Sequence, residues 1–365
     1  MNPRLIQITL AAVLGASLTG CGGGGGGSDP VTSPSAPAPS PAPAPAPTPA
    51  PAPSPAPAPS PAPAPAPAPA APTGTLWHDD YALDLRSGVQ LASLAGTAPT
   101  QITTRSDVDV GVWNDGAQYV VTDWDIRAAT TTITVTDRAS GSTVYQGTAD
   151  GYVRNVVPSP ANKRLVKVAQ GDSPSSAFVE NVIDLSTMKA VMRIADDDYF
   201  SWTPDGRFML INLRTGSMRT GSLGGNDLTV VGQLQVPAGR NMGQFSVDPT
   251  GKRFIMALPL RGSVPAESDV WIGNVDGTGF EQFTAVKALG SALWSPDGRY
   301  IAYTVDTGSI CSGGGCIGGC DQYYASVNLR KVEGLAGRPG SDKFTVRDRS
   351  GSTKPLGCTV LAWTP

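Results

Sequence analysis

Several short stretches of the chain repeat one pattern: a turn rich in proline, aspartate and glycine, then a run in which apolar and polar side chains alternate. The clearest copy is Trp294-Ser295-Pro296-Asp297-Gly298-Arg299 followed by Tyr300-Ile301-Ala302-Tyr303-Thr304. Proline pre-sets φ and glycine accepts positive φ, so Pro-Asp-Gly makes a tight turn. Alternation of this kind is the period of a half-buried strand. Related copies occupy 112–121, 158–166, 201–209 and 247–255, and a sixth begins at Ala362-Trp363-Thr364-Pro365. With the place of Pro296 as marker, the copies fall at 114, 160, 204, 249, 296 and 365, separated by 44–47 residues until a last interval of 69. A period near 45 belongs to a four-stranded propeller blade and not to a helical solenoid.

The expected fold is therefore all-β, a six-bladed β-propeller over 74–365. A second turn is expected after each third strand, at 82–88, 134–141, 270–284 and 346–351, with no clean copy in the third blade. The C-terminal residues supply only the first strand of the sixth repeat, while 76–94 holds later strands without a Pro-Asp-Gly turn. Pairing the two leaves no open sheet edge. So the N- and C-terminal strands share the closing blade, with three strands or four. Trp113, Trp202, Trp294 and Trp363 are read as one repeat position, either a wedge between blades or a stripe that stacks a ligand; the wedge is favoured.

Composition separates the remainder of the chain. Proline and alanine nearly alternate over Pro34–Pro72. Each proline fixes φ and lacks an N–H, which leaves polyproline II at about 3.1 Å per residue. Residues 21–73 are expected to be a Gly-rich tether and a disordered Pro/Ala stalk, either a passive spacer or one that threads peptidoglycan or docks a partner. Before them, Arg4, the apolar run Leu5–Leu14 and Leu18-Thr19-Gly20-Cys21 form a targeting segment. It resembles the lipobox of bacterial lipoproteins. The resemblance implies a signal peptide over 1–20, lipid attachment at Cys21 and, with Gly22 in place of aspartate, an outer-membrane lipoprotein facing either side.

The formal net charge is -3 and 16% of residues are charged, without the clustered basic surface that nucleic acid requires. No later run of about 20 apolar residues provides a membrane span. Membrane contact is therefore expected through the lipid alone. His78 is the single histidine, and no Gly-x-Ser-x-Gly elbow is present. A Ser-His-Asp hydrolase or a histidine-rich metal centre is not supported by such a set. No catalytic residue, cofactor or metal is expected; Asp196-Asp197-Asp198 as a Ca²⁺ site lacks partner ligands. Beyond Cys21, four cysteines remain: Cys311, Cys316, Cys320 and Cys358. In an oxidising compartment they are disulfide candidates, one of the first three pairing with Cys358 in the favoured reading and a Cys₄ zinc site in the rival one.

The Trp-Ser-Pro-Asp-Gly-Arg copies resemble the propeller repeats of the TolB family and of the propellers attached to prolyl oligopeptidases. Asn162 stands where glycine is usual and Asn114 where proline is usual. The resemblance implies the fold; function must come from a site. In a propeller the residues leading into each innermost strand line one mouth of the central channel. Counting back from the markers places Asp107, Asp109, Arg154, Asp196, Asp198, Arg240, Asn241, Lys287 and Lys354 there, as a ligand-binding ring or a solvated wall. The expected function is a monomeric, non-catalytic cell-envelope module that binds an envelope protein. A surface-exposed binder of glycan or peptide ligands is the alternative, and a hydrolase of unrecognised type the least favoured.

Overall fold

The computed structural model describes residues 71–82, 85–94, 100–105, 108–225, 227–263, 267–306, 310–312, 315–317, 325–332, 343–345 and 359–365. The expected signal peptide, Cys21, the expected tether and most of the expected stalk lie outside them, as do Asp107, Cys320, Lys354 and Cys358. Cys311 and Cys316 are described by backbone alone, as register partners in a two-stranded hairpin.

Six antiparallel four-stranded sheets follow one another as blades of a propeller. Blade one is Val108–Val112, Gln118–Asp125, Thr130–Asp137 and Thr143–Asp150. Blade two runs Tyr152–Pro158, Leu165–Gly171, Val179–Asp184 and Lys189–Arg193, and blade three Asp198–Trp202, Phe208–Asn212, Ser217–Gly221 and Thr229–Gln233. Blade four contains Phe245–Val247, Arg253–Pro259, Ser268–Asn274 and Glu281–Gln282; blade five contains Leu289–Trp294, Tyr300–Asp306, Ala325–Lys331 and Lys343–Thr345. No helix is present among the described residues.

The closing blade is composite, and it has four strands. Val360–Thr364 is innermost, followed outward by Thr75–Ala82, Leu85–Ser93 and Thr100–Thr103. The termini are latched together there. The Trp363 indole N–H donates to the Thr73 carbonyl at 2.9 Å, and the Trp77 N–H to the Thr364 hydroxyl at 3.3 Å. Gly74 adopts φ +104, and a Cβ there would lie 2.4 Å from the Thr364 carbonyl oxygen, so conformation and close approach both call for glycine. Ring closure repeats the contact made elsewhere. The turn glycines Gly251 and Gly298 abut Pro204 and Pro249 of the preceding blade, and Gly116 of blade one abuts Thr364 of blade six in the same way.

Two expectations from the sequence are corrected. The turn at 82–88 lies between the second and third strands of its blade, while 346–351 lies outside the described residues. Among the described copies, 134–141 and 270–284 connect third to fourth strands. The third blade does have its turn: the Asp227 carboxylate accepts from the Ser222 N–H and hydroxyl, both at 2.8 Å. Those two bonds, backbone first, hold the Asp227 carboxyl below the usual carboxylate range. Ser140 does the same for Asp137 in blade one.

Trp113 is not a member of the tryptophan position. Its backbone N–H donates to Gln118 O across the turn, as those of Thr203, Asp248 and Ser295 donate to Arg207, Arg253 and Tyr300. Trp113 thus matches Ser295, and the residue matching Trp294 is Val112. Asn114 and Asp115 match Pro296 and Asp297, so Trp113 stands one residue nearer the turn than Trp294 does, and a one-residue shift flips a strand side chain to the other face. Trp113 accordingly packs on Val153, Val156, Val166 and Val168 of blade two. Trp202, Trp294 and Trp363 instead pack in clusters with the preceding blade. The wedge reading holds for these three. Each is at most 7% exposed, and two donate back to that blade: Trp202 to Val157 O at 3.0 Å and Trp294 to Ser246 O at 3.1 Å.

Candidate functional site

Antiparallel pairing puts the connections between first and second strands, and third and fourth, at one end of the ring. This is the turn face, where the chain joins the domain at Thr73. The connections between second and third strands, and from each outer strand to the next blade, lie at the opposite end. On this loop face the innermost strands begin, so the expected channel-mouth residues belong to it.

The structure divides the described members into three groups. Asp109, in the innermost strand of blade one, accepts the Asn155 N–H of blade two at 3.0 Å, which stitches the two blades. Arg154 lies beside it, with its guanidinium 3.7 Å from the centre of the Phe178 ring. Asp198 opens blade three, is 8% exposed, and accepts from Asn212 Nδ2 at 3.0 Å and from Arg219. The neighbouring Asp196 is exposed and faces Arg193 at 3.6 Å.

The third group is organised by a residue that the sequence reading missed. Asp269, in the third strand of blade four, is 1% exposed. Its carboxylate accepts from the Val286 N–H at 2.6 Å, the Lys287 N–H at 3.1 Å and the Thr284 hydroxyl at 3.1 Å. Arg240 approaches it at 3.8 Å and donates to Leu258 O at 2.7 Å. Lys287 is held at φ +60 by this clamp, its ammonium 3.4 Å from Glu267. Asn241 accepts from Arg261 at 3.3 Å. The signal for Asp269 was a carboxylate directly before the apolar run Val270-Trp271-Ile272, at the start of a buried strand that demands partners for it.

Asp109, Asp198 and Arg240 are thus engaged in holding the mouth together. Their hydrogen-bonding capacity goes to strand ends and neighbouring blades. Among the described residues no group of three or more His, Cys, Asp or Glu side chains is placed to hold a metal ion.

Beside the mouth, across blades one and two, the loop face carries an aromatic stripe. Trp124 at the end of one strand meets Tyr152 edge-on at 5.4 Å, and Tyr152 meets Phe178 edge-on at 6.0 Å. All three rings are half-buried, and Arg154 lies over Phe178. The adjacent hairpin tip leaves Ile126 76% exposed. These residues come from separate segments and from no common repeat position, so spacing did not reveal them. Chemically, the stripe offers apolar ring surface, a flat cation and a polar rim.

No family model and no curated protein matches the chain. Solved structures do. TolB from Acinetobacter baumannii is similar with a TM-score of 0.53 at 15% identity, over 72% of this chain and 62% of that one. The chain therefore spans less than two thirds of that protein's length. The β-propeller domain of the Trilobed protease from Pyrococcus furiosus is similar over 67% of this chain and 72% of that one, at 12% identity and a TM-score of 0.41. Hydrazine synthase from Kuenenia stuttgartiensis is similar over 62% of each chain, at 13% identity and a TM-score of 0.41. At these identities the likeness concerns the fold: residues 74–365 hold a six-bladed propeller of the TolB type.

Proposed function

We propose that this chain is a lipid-anchored, non-catalytic module of the bacterial cell envelope, and that it binds another protein through the loop face of its propeller. The aromatic stripe Trp124–Tyr152–Phe178 with Arg154 carries the reading. Protein interfaces take most of their energy from a few aromatic and arginine side chains surrounded by a polar rim. The exposed Ile126 extends the same patch. His78 supports a non-catalytic role. It is buried in the second strand of the closing blade, with Nδ1 2.9 Å from the Asp79 carbonyl oxygen. The chain joins the ring on the turn face, so an anchor at Cys21 is compatible with a free loop face.

Two experiments test this. Cys21→Ser is expected to move the protein from the membrane to the soluble fraction, and unchanged membrane association would remove the anchor. Full-length protein cross-linked in the envelope is expected to co-purify with a defined partner, and Arg154→Glu to reduce that capture at least tenfold. Such a reversal removes the cation from the Phe178 face and places a charge of the wrong sign in the patch. Undiminished capture by Arg154→Glu would exclude this surface. Thermal stabilisation by a glycan or peptide library, with no protein captured, would favour the small-ligand alternative.

A further inference from the structure

The three wedge tryptophans show what fits between blades, and the other three seams have no tryptophan at that position. At each seam the indole belongs with one residue of the preceding blade, the one that closes the turn with its carbonyl. Leu165 packs in the cluster of Trp202, Tyr300 in the cluster of Trp363, and the Arg253 guanidinium lies 5.1 Å from the Trp294 ring. Between blades three and four the wedge position is Val247, and the closing residue is Arg207. A cleft of about 360 Å³ opens there on the turn face, lined by Pro204, Arg207, Met209, Val231, Gly251 and Val275 among others. The seam between blades six and one also has a valine wedge, Val112, and also opens a cleft, lined by Leu91, Tyr119 and Arg138 among others. The blade one–two seam has Pro158 at the wedge position, and Trp113 fills it from the other side. Both of these clefts lie at seams without the indole.

We infer that the cleft between blades three and four binds an aromatic side chain, tryptophan above all, presented by a protein partner. The chain itself supplies the precedent for the occupant: Arg207 holds the register of Arg253, whose cation faces the π-electrons of Trp294. Charge complementarity therefore favours an aromatic ring over an aliphatic side chain. The walls also suit this occupant, with Met209, Val231 and Val275 on the apolar side and Asp205 and Thr203 at the rim. Outside the cleft, Leu228 and Val230 on the outer edge of blade three are 47% and 70% exposed, which extends the apolar surface to residues flanking the anchor. The inference shares with the preceding proposal only the premise that the domain binds protein; it concerns the opposite face.

The test uses the purified full chain with ¹³C-methyl-labelled methionine, and N-acetyl-tryptophanamide as the probe. Met209 lines the cleft, so its methyl signal is expected to shift saturably at millimolar probe, with N-acetyl-leucinamide at least tenfold weaker. Val247→Trp supplies the missing indole from within and is expected to abolish the shift. Should that variant fail to fold, Val231→Glu, at a position 37% exposed, is expected to weaken binding at least fivefold. Absence of a saturable Met209 shift, equal response to the leucine probe, or an undiminished shift in the folded variants would overturn the inference. No partner is needed for these measurements, so they fail or succeed independently of envelope capture by the loop face.

Discussion

A chain lacking residues 359–365 is expected to lose cooperative folding of the whole propeller. Those residues form the innermost strand of the closing blade, whose other three strands come from 75–103. Their removal exposes the strand Thr75–Ala82 as an open edge and takes away both seams of blade six. Trp363 is 6% exposed and packs with Tyr300, Ala302 and Leu329 of blade five, while Val360 is 4% exposed in the same cluster. Losing a buried tryptophan side chain costs about 3–5 kcal/mol. The bonds from Trp363 to Thr73, Asp79 to Thr359, and Val360 to the Ser291 hydroxyl disappear as well. Against a typical domain stability of about 5–15 kcal/mol, this loss leaves little or nothing. Near-UV circular dichroism and urea unfolding check it. A two-state transition with the midpoint of the full chain would show that the ring does not depend on its closure.

That closure was legible in the sequence because it rests on local facts: a Pro-Asp-Gly turn at a regular interval, a repeat interrupted at Pro365, and strands near His78 with no turn of their own. Thr100–Thr103, the outer strand of the closing blade, was less visible, having no repeat signature. Local turns were harder to place than blades. Leu83-Asp84-Leu85-Arg86-Ser87-Gly88 resembles the turn at 134–141 in sequence, but it joins a second strand to a third, since similar residues serve more than one kind of connection. The loop-face mouth was placed correctly as a region and incompletely as a set of partners. Asp198 is neutralised by Arg219, and Lys287 is fixed by Asp269, each from a strand many residues away. Pairings of that kind come from three-dimensional packing. The aromatic stripe is the extreme case, with three rings from three segments.

The tryptophans give the sharpest test of how a single residue of register is read. Trp113→Ala, Trp202→Ala and Trp294→Ala are each expected to cost about 3–5 kcal/mol, since all three are buried and fill a seam. Phenylalanine separates them. The Trp202 and Trp294 N–H groups bond to carbonyls of the preceding blade, so Trp202→Phe and Trp294→Phe lose a cross-blade hydrogen bond and leave an acceptor buried, at about 1–3 kcal/mol beyond the smaller ring. The Trp113 N–H is buried with no hydrogen-bond partner. Trp113→Phe removes an unsatisfied donor, which offsets part of the lost packing, and its urea midpoint is expected to stay close to that of the parent. A Trp113→Phe penalty as large as that of Trp202→Phe would mean that the Trp113 indole N–H has a hydrogen-bond partner after all.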